Sequence, residues 1–352
     1  MYPRIEIKLD AIKHNMTRLV NQCKASGIDV AVVVKLMCGD ERVISSIIDL
    51  GAKVIADSRL ENFKDMKGFT GKKLLLRLPM LSQIDKVVDL VDVSLNSEIE
   101  IIRKISEVAS SKNKIHDIIL MVDLGDLREG IIDIDLLDKT IGDILLLKGI
   151  HLLGIGTNLT CFGGVIPSTK ILSKFVNIKD KIEKKYQIKF DVVSGGNSGI
   201  LGLLTSNKMP IEVNQLRLGA SIFMGIGLND ERIDGLKFDA FTLVVEIIEM
   251  MDKPSRPIGE IGLDAFGNKP FFEDLGIRKK ALCAIGRQDI NCEDLYSVDK
   301  NIKILGMSSD HLVLDISDVE KKYRLGDKVE FRLSYQGVLS AMNSKYINKS
   351  YH

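Results

Sequence analysis

Asp29-Val-Ala-Val-Val-Val-Lys-Leu-Met-Cys-Gly39 is the stretch on which the fold turns. After Asp29 come five apolar residues, most of them β-branched, and a short loop follows at once. That pattern reads as a strand buried on both faces, of the kind found in parallel sheets covered by helices. Lys35 closes the run. A lysine at the end of such a strand loses solvation unless a partner compensates, so its pKa is expected to fall and its amine to become a usable nucleophile, as in Schiff-base lysines. The same position also suits a snorkelling lysine with its ammonium in water.

The texture repeats along the chain. Apolar runs at Val54–Ala56, Leu74–Leu78, Val91–Leu95, Ile118–Val122, Leu152–Ile155, Asp191–Val193 and Leu216, with Ser221–Met224 following, alternate with amphipathic stretches. Helical patterns lie between them at Asp40–Leu50, Ser58–Met66, Ser97–Ser110, Asp135–Leu146 and Ser168–Tyr186. About eight βα units in succession favour a closed (β/α)8 barrel of the TIM type over a doubly wound sheet, because such a barrel takes roughly 250 residues or fewer. The barrel is placed at residues 1–235, with Lys35 at the C-terminal end of its first strand, where this fold carries its chemistry. After residue 235 helical periodicity fades. Strand-like runs at Phe241–Met251, Lys280–Ile285, Lys303–Leu305, Leu312–Ile316 and Lys328–Leu333 predict a mainly β C-terminal domain over 236–352. Ile5-Glu-Ile-Lys-Leu9 is a candidate strand of that second domain, which assigns residues 1–10 to either part.

Composition narrows the function classes. A chain of 352 residues can bury a large core and form two domains. The 49 Lys and Arg against 48 Asp and Glu leave a net charge of +1, with no block of one sign, which argues against nucleic acid or an anionic membrane as partner. Five scattered cysteines (Cys23, Cys38, Cys161, Cys283 and Cys292) lack any metal-binding spacing and read as reduced thiols of a cytoplasmic protein. The first residues, Met-Tyr-Pro-Arg-Ile-Glu-Ile, hold no apolar signal core, and no stretch is long and apolar enough to span a bilayer.

Several polar groups stand at expected strand ends. Asp191-Val-Val-Ser-Gly-Gly-Asn-Ser-Gly199 runs into a glycine-rich loop whose backbone N–H groups, with Ser198, suit a phosphate; a plain strand-to-helix turn fits equally. Arg217 sits in the apolar setting of Gln215–Gly225 and needs an acceptor, which a structural ion pair would also supply. Asp123 and Arg128 follow the Ile118–Val122 run, and Thr157 and Asn158 follow Leu152–Ile155. A lysine, an anion loop and two arginines on one barrel suggest an enzyme holding a phosphorylated aldehyde cofactor.

Longer strings carry a family resemblance. They are Ile5–Asn15, Val33-Val-Lys-Leu-Met-Cys38, Ile55-Ala-Asp-Ser-Arg59, Met121-Val-Asp-Leu-Gly-Asp-Leu-Arg-Glu-Gly130 and Val193-Ser-Gly-Gly-Asn-Ser198. Pro257-Ile-Gly-Glu-Ile-Gly262, Asp264–Pro270 and Ser308-Ser-Asp-His311 extend them. Over its whole length the chain resembles the fold-type III pyridoxal 5′-phosphate enzymes of the alanine racemase type. The resemblance implies that Lys35 forms the internal aldimine and serves as base on one face of the substrate. It implies a phosphate cradle of Ser198 with the backbone around Asn197, Gly219 and Ala220, reached also by the Tyr335 hydroxyl. Arg217 would face the pyridine nitrogen, where an always-charged group cannot readily supply a proton; this favours exchange at Cα over side reactions. Arg128 would lie near the cofactor O3′ and the substrate carboxylate. The implied activity is racemisation of a basic amino acid, ornithine ahead of lysine, arginine, alanine or serine. A head-to-tail homodimer with shared active sites is implied as well.

Departures from the family pattern concern the opposite face. Arg287, in Ile285-Gly-Arg-Gln-Asp289, stands where alanine racemases place the tyrosine of the second base, and a permanently charged arginine is a poor base. Met121 replaces a lysine, Asn158 replaces a histidine, and the loop after Lys35 is short and lacks its tyrosine. Cys38, Asp289, Asp310, His311 or a water held among them are the candidates for the second base. Asp310 could pair with a distal substrate ammonium, or be a solvated turn residue. Two other outcomes stay open: aldol cleavage or decarboxylation on the same lysine, and a non-catalytic carrier of the cofactor, although such carriers lack a β domain.

Overall fold

The computed structural model describes every residue except Asp65, Lys67 and Ala265; the Ser58–Met66 pattern and the Asp264–Pro270 string each include one residue outside the described set. The chain forms two compact units, one of Met1–Asp10 with Asp239–His352 and the other of Ala11–Phe238. In chain order the elements begin with β1 (Arg4–Ile7), α1 (Leu9–Ala25), β2 (Asp29–Val33), α2 (Glu41–Asp49), β3 (Val54–Asp57) and β4 (Lys72–Leu75). They continue with α3 (Ile84–Leu90), β5 (Val93–Asn96), α4 (Ile99–Ser111), β6 (His116–Met121), α5 (Ile134–Ile144) and β7 (Ile150–Gly156). Next come α6 (Thr169–Tyr186), β8 (Val192–Ser194), α7 (Leu201–Thr205), β9 (Gln215–Leu218) and α8 (Ala220–Met224). The remainder is β10 (Phe241–Pro254), β11 (Ile277–Cys283), β12 (Leu295–Ser297), β13 (Lys303–Met307), β14 (Leu312–Asp315), β15 (Lys328–Leu333), α9 (Tyr335–Asn343) and β16 (Asn348–Tyr351).

Strands β2 to β9 close in sequence order into a parallel barrel, sealed where Val30 and Ala31 of β2 stand opposite Leu216 and Arg217 of β9. The strands are short and most are apolar, several of them β-branched, so both faces can be buried. Ala31, Val33, Ala56, Leu74, Val93, Leu95, Ile119 and Met121 form one buried cluster, the period-two positions expected of one face of the sheet. Helices start where side chains satisfy their first amides: Asp40 accepts from Val43 N–H (3.1 Å), Asp133 from Leu136 N–H (2.8 Å) and Ser168 from Ile171 N–H (3.3 Å). Gly154 marks an irregular register between β6 and β7, and its Cα lies so near β8 that an added Cβ would stand 1.9 Å from the Val192 carbonyl oxygen.

The other unit is an antiparallel sheet ordered β12-β15-β10-β11-β14-β13, with β1 antiparallel to β10 and parallel to β16. Three local expectations need correcting. Among its described residues Ser58–Met66 contains only a single 3-10 turn, Leu60–Phe63, because Leu60 and Phe63 bury their side chains within one turn. Ser221–Met224 is helical, within α8. The β region also holds a genuine helix, α9, started by Ser334, whose Oγ accepts from Gly337 N–H at 2.9 Å. Among the described residues no helix is long and apolar enough to cross a membrane.

Candidate active site

Lys35 opens a 3-10 turn (Lys35–Met37) one residue beyond β2, where Val34 has already left the extended conformation (φ −94°, ψ 4°). Cys38 ends that turn in the left-handed conformation (φ 50°). At the neighbouring strand end, Asp57 of β3 is fully buried and accepts from Arg59 N–H (2.9 Å) and Asn62 Nδ2 (3.0 Å). Burial raises its carboxyl above the ordinary range, against those hydrogen bonds and the nearby charge of Lys35. Sequence reading passed over Asp57, although a carboxylate ending an apolar run was its visible signal.

On the side of β2 away from β3, β9 and its neighbour β8 carry a polar relay. Arg217 Nη1 donates to Ser194 Oγ at 2.5 Å, and Ser194 Oγ donates to Gln215 Oε1 at 2.9 Å. Arg217 Nη2 donates to the Thr157 carbonyl at 2.7 Å. These partners are neutral, so the expected alternative of a structural ion pair is not what accommodates this buried arginine. Burial pushes its guanidinium down to about 10, with Glu129 and Cys161 drawing it upward and Arg128 adding to the fall. It therefore remains charged at neutral pH.

Beyond the same strands, the N–H groups of Gly219 and Ser221 converge on Ser198 Oγ at 3.3 and 3.1 Å, and the Ser198 and Ser221 hydroxyls lie 2.9 Å apart. Asn197 does something different. Its Oδ1 accepts from Gly199 N–H (2.8 Å), while Nδ2 donates to the Leu159 carbonyl (2.7 Å) and reaches Asn158 Oδ1 and Cys161 Sγ. Its side chain thus ties the β8 loop to the β7 loop.

The β6 loop carries Arg128, whose Nε and Nη2 donate to both carboxylate oxygens of Glu129. Burial works against the Arg128 charge, but that pairing and the nearby Cys161, Glu129 and Asp126 outweigh it and hold its pKa above the ordinary value. Asp126 is buried and its carboxylate accepts from three backbone N–H groups of the β7 loop: Thr160 (2.9 Å), Phe162 (3.0 Å) and Val165 (3.2 Å). Neither Asp126 nor Glu129 was singled out from sequence, since charged loop residues ordinarily read as solvated. Met121 is fully buried in the barrel cluster.

The remaining candidates belong to the β unit. Arg287 stacks on the Phe266 ring (4.6 Å) and lies 3.6 Å from Glu293, while its Nε is buried without a hydrogen-bond partner among the described residues. Its loop packs on the 308–311 turn: Arg287 N–H donates to the Ser308 carbonyl at 2.9 Å, and Gln288 Nε2 donates to Asp310. Asp310 also accepts from Ser309 Oγ (2.9 Å), Asp289 accepts from Ser344 Oγ (2.6 Å), and His311 is exposed. Tyr335 is the half-buried first residue of α9.

Two observations test whether the barrel residues fit a phosphorylated pyridine. The converging amides at Gly219 and Ser221 are the donor set a phosphate needs. The Thr157 hydroxyl, fully buried next to the Arg217 contact, has no hydrogen-bond partner among the described residues. With the charged Arg217 guanidinium hydrogen-bonded only to neutral oxygens, the residues fit.

Comparison with known proteins agrees with this geometry. Residues 7–226 match the family model for the alanine racemase N-terminal domain. The chain is 42% identical over 350 residues to an ornithine racemase of Acetoanaerobium sticklandii, covering 99% of each. It is 38% identical to a lysine racemase of Thermotoga maritima, covering 100% of this chain and 99% of that one. Among solved structures, an alanine racemase from Bartonella henselae with covalently bound pyridoxal phosphate superposes with a TM-score of 0.77 at 19% identity, covering 99% of both chains. An alanine racemase from Clostridium difficile 630 gives 0.75 at 17% identity, covering 100% of this chain and 96% of that one. A closed parallel barrel with a β C-terminal part, a lysine and an arginine at its strand ends, and these relatives together establish that the chain belongs to the alanine racemase family.

Proposed function

We propose that this protein is a pyridoxal 5′-phosphate-dependent racemase that interconverts the L and D forms of a basic amino acid, ornithine first. The observation that carries the reading is the gathering of Lys35, Arg128, Ser198 and Arg217 at the C-terminal strand ends of one barrel. Full-length similarity to racemases named for ornithine and lysine supports the substrate class. When bound, pyridoxal phosphate would supply an electron sink for the substrate's Cα, which lowers the barrier to losing its proton. Lys35 holds the cofactor and removes or returns that proton on one face. Ser198, the backbone of Asn197, Gly219 and Ala220, and Tyr335 hold the phosphate. Arg217, charged and buried, would be the residue toward the pyridine nitrogen and would supply it no proton, which would limit electron withdrawal and keep the chemistry at proton exchange. Arg128 binds the substrate carboxylate, and Asp310 the distal ammonium.

The second face is assigned to the loops holding Arg287 and Asp310, with Cys38, Asp289, His311 or a held water passing the proton. Arg287 itself acts as a fixed cation there. The working form is a head-to-tail homodimer in the cytoplasm. Exposed apolar side chains support association, Phe162 and Ile166 on the barrel unit, and Ile258 (90% exposed) and Phe271 (91%) on the β unit. The free cysteines support a reducing compartment.

The test is to incubate protein and pyridoxal phosphate with L-ornithine in heavy water. Loss of optical rotation with deuterium at Cα is expected, and both should vanish in Lys35→Ala. Retention of rotation and of the Cα proton by wild type, for ornithine and lysine alike, would sink the reading.

A further inference from the structure

Glu129 has no part in the roles above, yet its placement is specific. Its side chain is only 11% exposed, whereas the Arg128 side chain beside it is 40% exposed. The two form a side-on pair, in which Arg128 Nε and Nη2 each donate to one Glu129 oxygen. That leaves the end-on fork of Nη1 and Nη2 facing away from Glu129, and this fork matches a carboxylate bidentately.

The backbone that carries the pair is held at both ends. Asp123 Oδ1 accepts from Gly125 N–H (2.8 Å) and Leu127 N–H (3.2 Å), which curls the loop toward Arg128. On the far side Gly130 adopts φ +125°, and an added Cβ there would stand 2.5 Å from the Asp123 nitrogen. Ile131 then bridges back, donating to the Met121 carbonyl (2.9 Å) and accepting from Asp123 N–H (3.2 Å). Asp126 fastens the middle of the loop to residues 160–165. The side chain of Met121, which ends β6, is packed in the apolar cluster and holds no carboxylate. A long arginine side chain on a fixed loop still has several rotamers of its own, and Glu129 is the group that selects one.

We propose that Glu129 is a positioning residue: by occupying the side fork of Arg128 it presents the end-on fork to the substrate carboxylate. The inference rests on Arg128 being the carboxylate-binding group. Neutral glutamine cannot reproduce the pair, because its amide nitrogen would face one of the guanidinium donors.

The experiment uses pentanoate, which has ornithine's carbon chain and carboxylate but neither amine, titrated into the cofactor-loaded enzyme by ligand-observed NMR. Glu129→Gln is expected to weaken binding about tenfold and Arg128→Ala by a similar factor, with the double variant no weaker than Arg128→Ala alone, as coupled residues require. Glu129→Asp, which keeps the charge on a shorter arm, should recover much of the affinity. In turnover, Glu129→Gln should raise KM for ornithine more than it lowers kcat. Wild-type affinity in Glu129→Gln, or losses that multiply in the double variant, would overturn the inference while leaving Arg128 in place. Wild-type affinity in Arg128→Ala would overturn both.

Discussion

Replacing Asp126 by asparagine tests whether the β6 and β7 loops are one preassembled unit. Oδ1 of Asp126 accepts from Thr160 N–H (2.9 Å) and Val165 N–H (3.2 Å), and Oδ2 accepts from Phe162 N–H (3.0 Å). Asparagine has one oxygen. Whichever way its amide is turned, an NH2 group must face a backbone N–H donor, and at least one hydrogen bond is lost. The remaining bonds lose their charge assistance. Hydrogen bonds to charged groups contribute roughly 1.5–3 kcal/mol each, and a stranded buried donor costs about 1–3 kcal/mol. The expected destabilisation of Asp126→Asn is therefore about 3 kcal/mol, and about 5 for Asp126→Ala on the same figures. The backbone bond from Gly163 N–H to the Asp126 carbonyl (3.0 Å) survives either change, so the loops should loosen and not part. Amide hydrogen exchange at residues 160–165, beside a urea titration, reads the effect directly. Faster exchange at Thr160, Phe162 and Val165 with a fall in racemisation is expected. Unchanged protection at those amides, with a urea midpoint matching wild type, would show that the carboxylate is not the clamp.

Three further outcomes follow from local geometry. His116 is buried, bonded to Ser94 Oγ at 2.9 Å, and burial pushes its pKa down to about 4. Because the unfolded chain takes up that proton near pH 6.5, its contribution is complete above pH 6.5 and is lost as pH falls, about 2 kcal/mol at pH 5 and about 3 at pH 4; an NMR titration showing the ring protonating near 6.5 would refute this. Arg217→Gln keeps hydrogen-bond donors but removes a charge that burial disfavours, so stability should hold within ~1 kcal/mol while turnover falls at least about a hundredfold; calorimetry and chiral chromatography check the two halves. Gly154→Ala drives a Cβ against the Val192 carbonyl and should cost ~3 kcal/mol, whereas Gly202→Ala in α7 meets nothing within 4 Å and should be neutral or slightly stabilising, as unfolding midpoints would show.

The barrel was legible because its evidence is local. Most strands are short apolar runs, and a period of two or 3.6 survives in sequence whatever the neighbours do. Where that signal is short it misleads: Leu60 and Phe63 satisfy a helix-like spacing with one 3-10 turn, and α9 is only nine residues long, with Gly337 in its first turn. The site was legible in its cations and glycines, and illegible in its acceptors. Arg217 plainly needed partners, but they are a hydroxyl 23 residues away and a carbonyl 60 residues away, both neutral. Asp57, Asp126 and Glu129 looked like ordinary polar punctuation until burial and their donors gave them work.

Sequence alone determined the (β/α)8 order, the β C-terminal part and the lysine at the end of the first barrel strand, since those depend on residues within a few positions of one another. Tertiary structure decided what surrounds each charge. Burial and hydrogen-bond geometry are set by chain closure over tens of residues, and it is closure that places Asp57 beside Lys35, neutral oxygens on Arg217 and Glu129 on the side fork of Arg128.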